Sequence, residues 1–138
     1  MVVDIENAIF NQVATAYDAS FPNGSRYSEA VETPANFPAL ILYQEDKASS
    51  GYTNLPADKI TLAVEVYSNL VSGGKQQCKS IMELVRNTLN GFGKWELVFE
   101  NQIRNADERI YRMRARYRGI AVQESEITDE MTVRIYKN

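Results

Sequence analysis

The sequence contains no histidine and only one cysteine, Cys78. Histidine is the commonest general base near neutral pH and a common metal ligand, so its absence argues against hydrolytic and zinc chemistry. A single cysteine excludes an internal disulfide and a multi-cysteine metal site, and we expect Cys78 to act as a small, buried apolar residue. No apolar run approaches the roughly 18–20 residues that span a bilayer, and the N-terminus lacks the order of a secretion signal, which predicts a protein that stays in the cytoplasm where it is made.

The chain also lacks a strong charge of either sign. Fifteen basic and 18 acidic residues give a formal net charge of −3. This balance argues against tight, sequence-independent binding to nucleic acid, which depends on neutralising phosphates, but not against DNA passing nearby. The length of 138 residues and the hydrophobic fraction of 44% are ordinary for a globular protein. They predict a single domain over residues 1–138 with one core.

Two segments have the periodicity of amphipathic helices. From Asp4 to Ala19, apolar residues recur at steps of three and four, with Asp4 as a candidate N-cap and a Phe-Pro-Asn-Gly sequence at 21–24 as the stop. The second helix is predicted to begin at 72–74 and to end near Gly91 and Gly93. Its apolar stripe consists of Cys78, Ile81, Met82, Val85, Leu89 and Phe92.

Strand patterns fill most of the remaining sequence. The predicted strands are Arg26–Glu32, Phe37–Gln44, Ile60–Tyr67, Trp95–Glu100, Arg109–Val122 and Met131–Tyr136. The residues between the second and third predicted strands are mostly polar. They predict an exposed, mobile loop at 46–56. Residues 123–138 are treated as a C-terminal extension. The order α-β-β-β-α-β-β, with a possible extra strand, predicts an α+β fold with a mainly antiparallel or mixed sheet of four to six strands and both helices on one face.

The clearest local pattern is a row of arginines in the fifth predicted strand. Arg112, Arg114, Arg116 and Arg118 alternate with Tyr, Met and Ala, so strand geometry places all four on one face. These arginines could pair within the sheet with carboxylates such as Glu65, Glu96 and Glu100. They could instead pair with acids of a neighbouring subunit, because arginine is enriched at protein interfaces, and DNA contact is a third possibility.

The remaining polar features predict no catalytic, metal or cofactor site. The adjacent acids at 107–108 and 129–130 fit solvated turns, and the Ser-Gly-Gly-Lys sequence at 72–75 lacks the spacing of a phosphate-binding loop. Eight tyrosines are more than a core of this size needs and indicate a binding surface. Those placed on strands or the loop are Tyr27, Tyr43, Tyr52, Tyr67 and Tyr136.

Several short sequences carry a family resemblance through their order and spacing. They are Phe37-Pro38-Ala39, Val64-Glu65-Val66-Tyr67-Ser68-Asn69 before a Gly-Gly-Lys turn, the helical Lys75, Cys78, Lys79 and Ile81, Asn105-Ala106-Asp107, Ile110-Tyr111-Arg112, and Arg116-Tyr117-Arg118-Gly119. From about Ile5 to Val122 the chain resembles the tail-terminator, or tail-completion, proteins of long-tailed bacteriophages. The segment after Gln123 departs from the shorter members of that family.

The resemblance implies a non-enzymatic virion protein at the tail-to-head junction, assembled in the host cytoplasm without a cofactor. Copies of the chain would form a ring, expected to be a hexamer, that caps the tail tube, stops its polymerisation and joins it to the head-completion, or stopper, protein. DNA would pass through the ring without sequence-specific binding. The residues expected at the subunit interface or lumen are Arg112, Arg114, Arg116, Arg118, Glu65 and Tyr67. Those expected on a loop that contacts the tube or lumen are Lys47, Ser49, Ser50, Tyr52 and Asn54.

Two other functions stay open on the sequence alone. A head-completion stopper would share the position around the DNA path but would bind the connector instead of the tail tube. A cytoplasmic enzyme or small-ligand-binding domain would need a pocket between the sheet and the helices, and the missing histidine, the single cysteine and the missing phosphate loop count against it.

Overall fold

A computed structural model describes residues 5–31, 34–49, 57–93, 95–104, 107–125 and 131–136. They form two helices and six strands. The helices are α1 (Ile5–Ser20) and α2 (Gly74–Asn90). The strands are β1 (Ser25–Tyr27), β2 (Ala39–Ser49), β3 (Ala57–Ser68), β4 (Glu96–Ile103), β5 (Tyr111–Ser125) and β6 (Met131–Tyr136).

The strands form one sheet in the order β1-β2-β3-β5-β4, with β6 also paired to β5. Only the pairing of β1 with β2 is parallel among these strands. One side of β5 is paired with β3 over residues 111–122. The other side is shared, because β4 pairs with residues 112–118 and β6 pairs with residues 120–125. The prediction of an α+β fold with a mixed, mainly antiparallel sheet is confirmed.

The two helices cover the same face of this sheet. Alternate residues of the central strands point toward the helices, since successive side chains of a strand lie on opposite faces. The buried contributors from the helices are Ile9, Val13, Tyr17, Cys78, Ile81, Met82, Val85 and Leu89. Those from the strands are Leu40, Leu42, Ile60, Leu62, Val64, Val66, Met113, Ala115 and Tyr117. Packing of two apolar helix stripes against one apolar sheet face, as predicted, accounts for the main core.

Two predicted elements need correction. The loop predicted to begin after Gln44 is wrong over its first residues, because β2 continues to Ser49 and pairs with the start of β3. A register shift between Gln44 and Asp46 interrupts the alternation there, which hides the strand in the sequence. Residues 50–56 lie outside the described part of the chain. The first predicted strand is shorter than expected, since β1 is an edge strand with only three residues paired to β2.

The first and last predicted elements are both present in the structure. Helix α1 begins at Ile5, and the candidate N-cap Asp4 lies outside the described residues. The predicted last strand is confirmed as β6, paired to β5 from Ile120 to Ser125. The C-terminal extension therefore contributes an ordered hairpin partner to the sheet.

Two tyrosine hydroxyls and one cysteine thiol that are buried in the core predict a loss of stability in alkaline solution. Burial raises the pKa of Tyr17 and Tyr117, and it raises the pKa of Cys78 from 9.0 to about 12. Because the ionised forms are accessible only after unfolding, this stabilisation is complete below the ordinary pKa values and is lost as the pH rises through the raised ones. We expect the urea midpoint to fall steadily from about pH 9 to about pH 12. A midpoint that is unchanged over this interval would contradict the burial of these groups, and a Cys78→Ala variant should begin its decline at higher pH.

Candidate assembly surface

The side of the sheet opposite the helices carries the row of arginines and is called the arginine face. Arg112, Arg114, Arg116 and Arg118 project from alternate positions of β5, as predicted. Directly across in β3 lie Tyr67, Glu65, Ala63 and Thr61, in that order. Side chains opposite each other in an antiparallel pair share a face. The fold therefore brings the predicted residues Glu65 and Tyr67 to the same surface as the four arginines.

Glu65 is the carboxylate at the Arg112 end of the arginine face, and its side chain is only 8% exposed. Nη2 of Arg112, its diagonal neighbour, donates a hydrogen bond to Oε1 of Glu65. The Arg112 guanidinium also lies over the ring of Tyr67, 5.1 Å from the ring centroid. Because a buried carboxylate is costly without a partner, this ion pair fixes Arg112 in one position.

Glu45 holds the middle of the arginine face together. Nε and Nη2 of Arg116 donate to its two carboxylate oxygens at 2.9 and 2.7 Å, and Nη2 of Arg114 lies 3.6 Å from Oε1. Glu45 sits at the register shift of β2, on the far side of β3 from β5. Ala63 pairs with Arg116 and is small enough for the guanidinium to reach across β3. The Arg116 guanidinium also lies 5.2 Å from the ring centroid of Phe99 in β4.

Arg118 differs from the other three arginines because it is exposed and has no ion pair among the described residues. Glu96 is directly opposite Arg118 in β4, yet the two side chains form no ion pair within the described part of the chain. Glu100 points to the helix face, where it lies 3.7 Å from Arg86 of α2. Of the three predicted carboxylate partners, Glu65 is thus confirmed and Glu100 is wrong, since Glu100 pairs with a helix instead.

Sequence analysis missed Glu45 as a partner because the residue fell inside the predicted loop. The signal that could have identified it is the alternation of Ile41, Tyr43 and Glu45, which continues the strand pattern by one step. Of the residues predicted on that loop, Lys47 and Ser49 belong to β2, where their backbones pair with Ile60 and Asp58. Ser50, Tyr52 and Asn54 lie outside the described residues, and their predicted role stays a prediction.

A second, smaller apolar cluster lies at the β1 end of the arginine face. Ala39, Ile41 and Tyr67 are buried there. Partly buried side chains pack around them: Tyr27, Val31, Phe37, Tyr43 and Ile110. Of the tyrosines predicted to form a binding surface, Tyr67 is buried in this cluster, Tyr27 and Tyr43 pack against it partly buried, and Tyr52 lies outside the described residues. Tyr117, predicted as a core residue, is buried in the main core.

An open groove of about 780 Å³, here called the end groove, lies where β3 ends and β5 begins. Its walls are the segment between β3 and α2, the first turn of α2 and the residues before β5. Leu70 is half exposed and Val71 is fully exposed at its rim. The acids in its wall are paired locally, Asp107 with Arg109 at 3.0 Å and Glu108 with Arg104 at 3.2 Å. Hydrogen bonds from Arg109 lower the pKa of Asp107 accordingly.

The described residues contain no group of three or more acidic or cysteine side chains arranged to hold a metal ion. None of the helices in the described ranges has the length and apolar character needed to cross a membrane. The surfaces on which the argument for function rests are the arginine face, the end groove and the outer edge of β4.

The fold is similar to that of a chain in a solved structure described as "Virion of native gene transfer agent (GTA) particle". The TM-score is 0.59 at 13% sequence identity, and the match covers 83% of this chain and 91% of that chain. At this identity the likeness shows a shared fold. Comparison with curated protein sequences gives no significant match.

A protein-family model described as "Tail completion protein gp17" matches residues 8–121. The matched residues span both helices and the sheet from β1 to Ala121 in β5. The chain is therefore a structural protein of a phage tail, with its place in the virion. It belongs to the tail completion protein family, as its resemblance to tail terminators predicted.

Proposed function

We propose that copies of this chain form a closed ring, expected to be a hexamer, that caps the finished tail tube. Once bound, the ring stops the addition of tube subunits and presents its other side to the head-completion protein. The family match over residues 8–121 is the observation that carries this proposal. A closed ring suits the task because its contacts repeat head to tail around an axis and leave no free end for further growth.

The arginine face supports a protein-binding role over a DNA-gripping one. Three of its four guanidiniums are already engaged by Glu65 and Glu45. A carboxylate beside a guanidinium offsets its charge, so the pair attracts a phosphate less than a free arginine does, and phosphate neutralisation is the main source of affinity for DNA. DNA could therefore move past such a surface without being held. The pre-positioned guanidiniums and aromatic rings are suited to contacts with another protein.

The proposal predicts the length of tail tubes assembled in the presence and absence of the protein. Tubes polymerised without it should be long and variable, because nothing blocks the growing end. Tubes polymerised with it should have a uniform length and should join heads, as seen by negative-stain electron microscopy. A Ser80→Ala variant is the folded control and should limit tube length normally, since Ser80 is exposed on α2, away from the arginine face.

The same measurement separates the proposal from the head-completion alternative. A stopper acts on the connector, so its removal should leave tube length unchanged while preventing the attachment of heads. Tubes of equal length with and without the protein would therefore rule out tail termination.

A further inference from the structure

Four large apolar side chains are exposed in the described part of the chain, and they form two separate pairs. Leu70 and Val71 lie at the rim of the end groove. Leu97 and Val98 lie at the start of β4, together with Glu96, and these three residues are called the β4 corner. Paired apolar residues at the surface of a small domain indicate a contact with another molecule.

The two pairs are too far apart to belong to one patch. Leu97 is opposite Tyr117 in β5, whereas the end groove lies beside Tyr111 at the beginning of the same strand. Six residues of a β-strand span about 20 Å. A contact between the two sites must therefore join different copies, and a ring forms when that contact repeats head to tail around an axis.

The charges of the two sites are complementary. Lys75 lies in the wall of the end groove and has no ion pair among the described residues. It stands in the first turn of α2, which contains no acidic residue and whose N-cap Gly73 supplies no side-chain hydrogen bond. The positive end of the helix therefore adds to the charge of Lys75. At the β4 corner, Glu96 is a carboxylate without an ion pair among the described residues.

The strand edge favours the same arrangement. β4 is the last strand on its side of the sheet, so its outer edge is unpaired within the described chain. The register shift between Leu97 and Phe99 places Val98 at an irregular position that is exposed beside Leu97. Such irregularities prevent the continuous strand pairing that leads to open-ended aggregation, while leaving side chains free for a specific contact.

We infer that the β4 corner of one copy occupies the end groove of the next copy, with Glu96 of the first facing Lys75 of the second. This inference rests on the proposed ring and names the contact that would close it. The tail tube and the head-completion protein are the competing occupants of the groove. The part of the arginine face around Glu45 and Arg116 is not in the wall of the groove and stays available to them.

The contact can be tested by cross-linking a Val71→Cys/Val98→Cys double variant with a short bismaleimide, both in purified protein and in assembled tails. Cys78 should not interfere, because it is buried and its pKa is raised to about 12. A head-to-tail contact predicts a ladder of covalent multimers up to the size of the ring. A Ser80→Cys/Val98→Cys control should stay monomeric, since Ser80 is exposed on α2 away from the groove.

Other results would overturn the inference in recognisable ways. Dimers from the single Val71→Cys variant would indicate a two-fold contact between identical sites. A product joining the chain to a tube or head-completion protein would assign the groove to that partner. An absence of cross-links in both preparations would remove the contact altogether.

Charge reversal provides a second readout that does not depend on cysteine chemistry. Lys75→Glu and Glu96→Lys should each weaken every contact by roughly five-fold, and the effect is multiplied around the ring. The double variant should restore assembly, measured by native mass spectrometry, whereas Lys79→Glu on the same helix should have no effect. If the double variant forms rings that do not limit tube length, the proposed function is wrong but this contact is not. If the protein limits tube length normally but shows neither cross-links nor rescue by the double variant, this contact is wrong but the proposed function is not.

Discussion

Replacing Arg112 by methionine is expected to lower the free energy of unfolding by about 2–4 kcal/mol. The substitution keeps an unbranched apolar stem but leaves Glu65 as a buried charge without its partner. It also removes the cation from the face of Tyr67. The expected loss stays below the value for a fully buried pair, because the Arg112 side chain is 26% exposed and admits some water. Urea denaturation measures the difference.

A double-mutant cycle identifies the ion pair as the cause. Glu65→Gln removes the charge that needs a partner, and the Arg112 guanidinium it leaves behind can still reach solvent. The Arg112→Met change should therefore cost much less in the Glu65→Gln background than in the wild-type chain. Arg118→Met is the matched control from the same strand and should leave the midpoint unchanged. Equal costs in both backgrounds would show that Arg112 stabilises the sheet by packing and not by neutralising Glu65.

The helices and central strands were predictable because their apolar residues repeat with the period of the element that forms. The stripe from Cys78 to Leu89 fixes which face of α2 is buried, and the alternation of Ile60, Leu62, Val64 and Val66 does the same for β3. Both patterns are dictated locally by the need to cover one apolar face. The packing of the two helices on the same side of the sheet follows from them.

The bulged part of β2 was not predictable in the same way. After Gln44 the sequence becomes polar, and the register shift removes the alternation on which strand prediction depends. What keeps those residues in the sheet is their backbone pairing with residues 58–61 of β3, which lie 9 to 15 positions further along the sequence. A tertiary contact of this kind leaves no periodic mark in the chain.

The candidate surface was likewise predictable only in part. The common face of the arginines could be predicted from alternation, and so could the position of Glu65. The role of Glu45 could not, because Arg116 reaches it across the intervening strand at Ala63. The end groove is assembled from four segments distant in sequence, namely Phe37, residues 69–75, Gln102 and residues 107–111. Its existence depends on how α2 meets the ends of β3 and β5.

The sequence identifies Gly24 only as part of the turn that ends the first helix. The structure gives a more specific reason, because the Pro38 carbonyl oxygen beside it accepts two hydrogen bonds. One comes from the Tyr17 hydroxyl at 2.7 Å and the other from the Ser25 backbone N–H at 3.0 Å. A Cβ at position 24 would lie 2.7 Å from that oxygen and even closer to the Tyr17 hydroxyl. The connection between α1 and β1 is therefore packed against its neighbours at a point where only glycine fits.

We accordingly expect Gly24→Ala to lower the free energy of unfolding by about 2–4 kcal/mol. The methyl group must displace either the fully buried Tyr17 ring or the backbone of Pro38, and displacing Tyr17 breaks its hydrogen bond. Gly91→Ala is the matched control, since it has the same effect on the unfolded chain but lies at a helical φ of −69° with only one near neighbour, the Thr88 carbonyl at 3.2 Å. It should change the stability by less than about 1 kcal/mol.

The Tyr17→Phe background tests whether the crowding is the cause. Without the hydroxyl, the added methyl group loses its closest neighbour and meets only the Pro38 oxygen and, at 3.1 Å, the Cζ atom of the ring, so Gly24→Ala should cost roughly half as much there as in the wild-type chain. Tyr17→Phe alone should cost about 1 kcal/mol, because Pro38 keeps the hydrogen bond from Ser25. If Gly24→Ala were as harmless as Gly91→Ala in thermal and urea unfolding, the close approach of α1, the turn and the start of β2 would be wrong. The packing of α1 against the sheet would then need a different explanation.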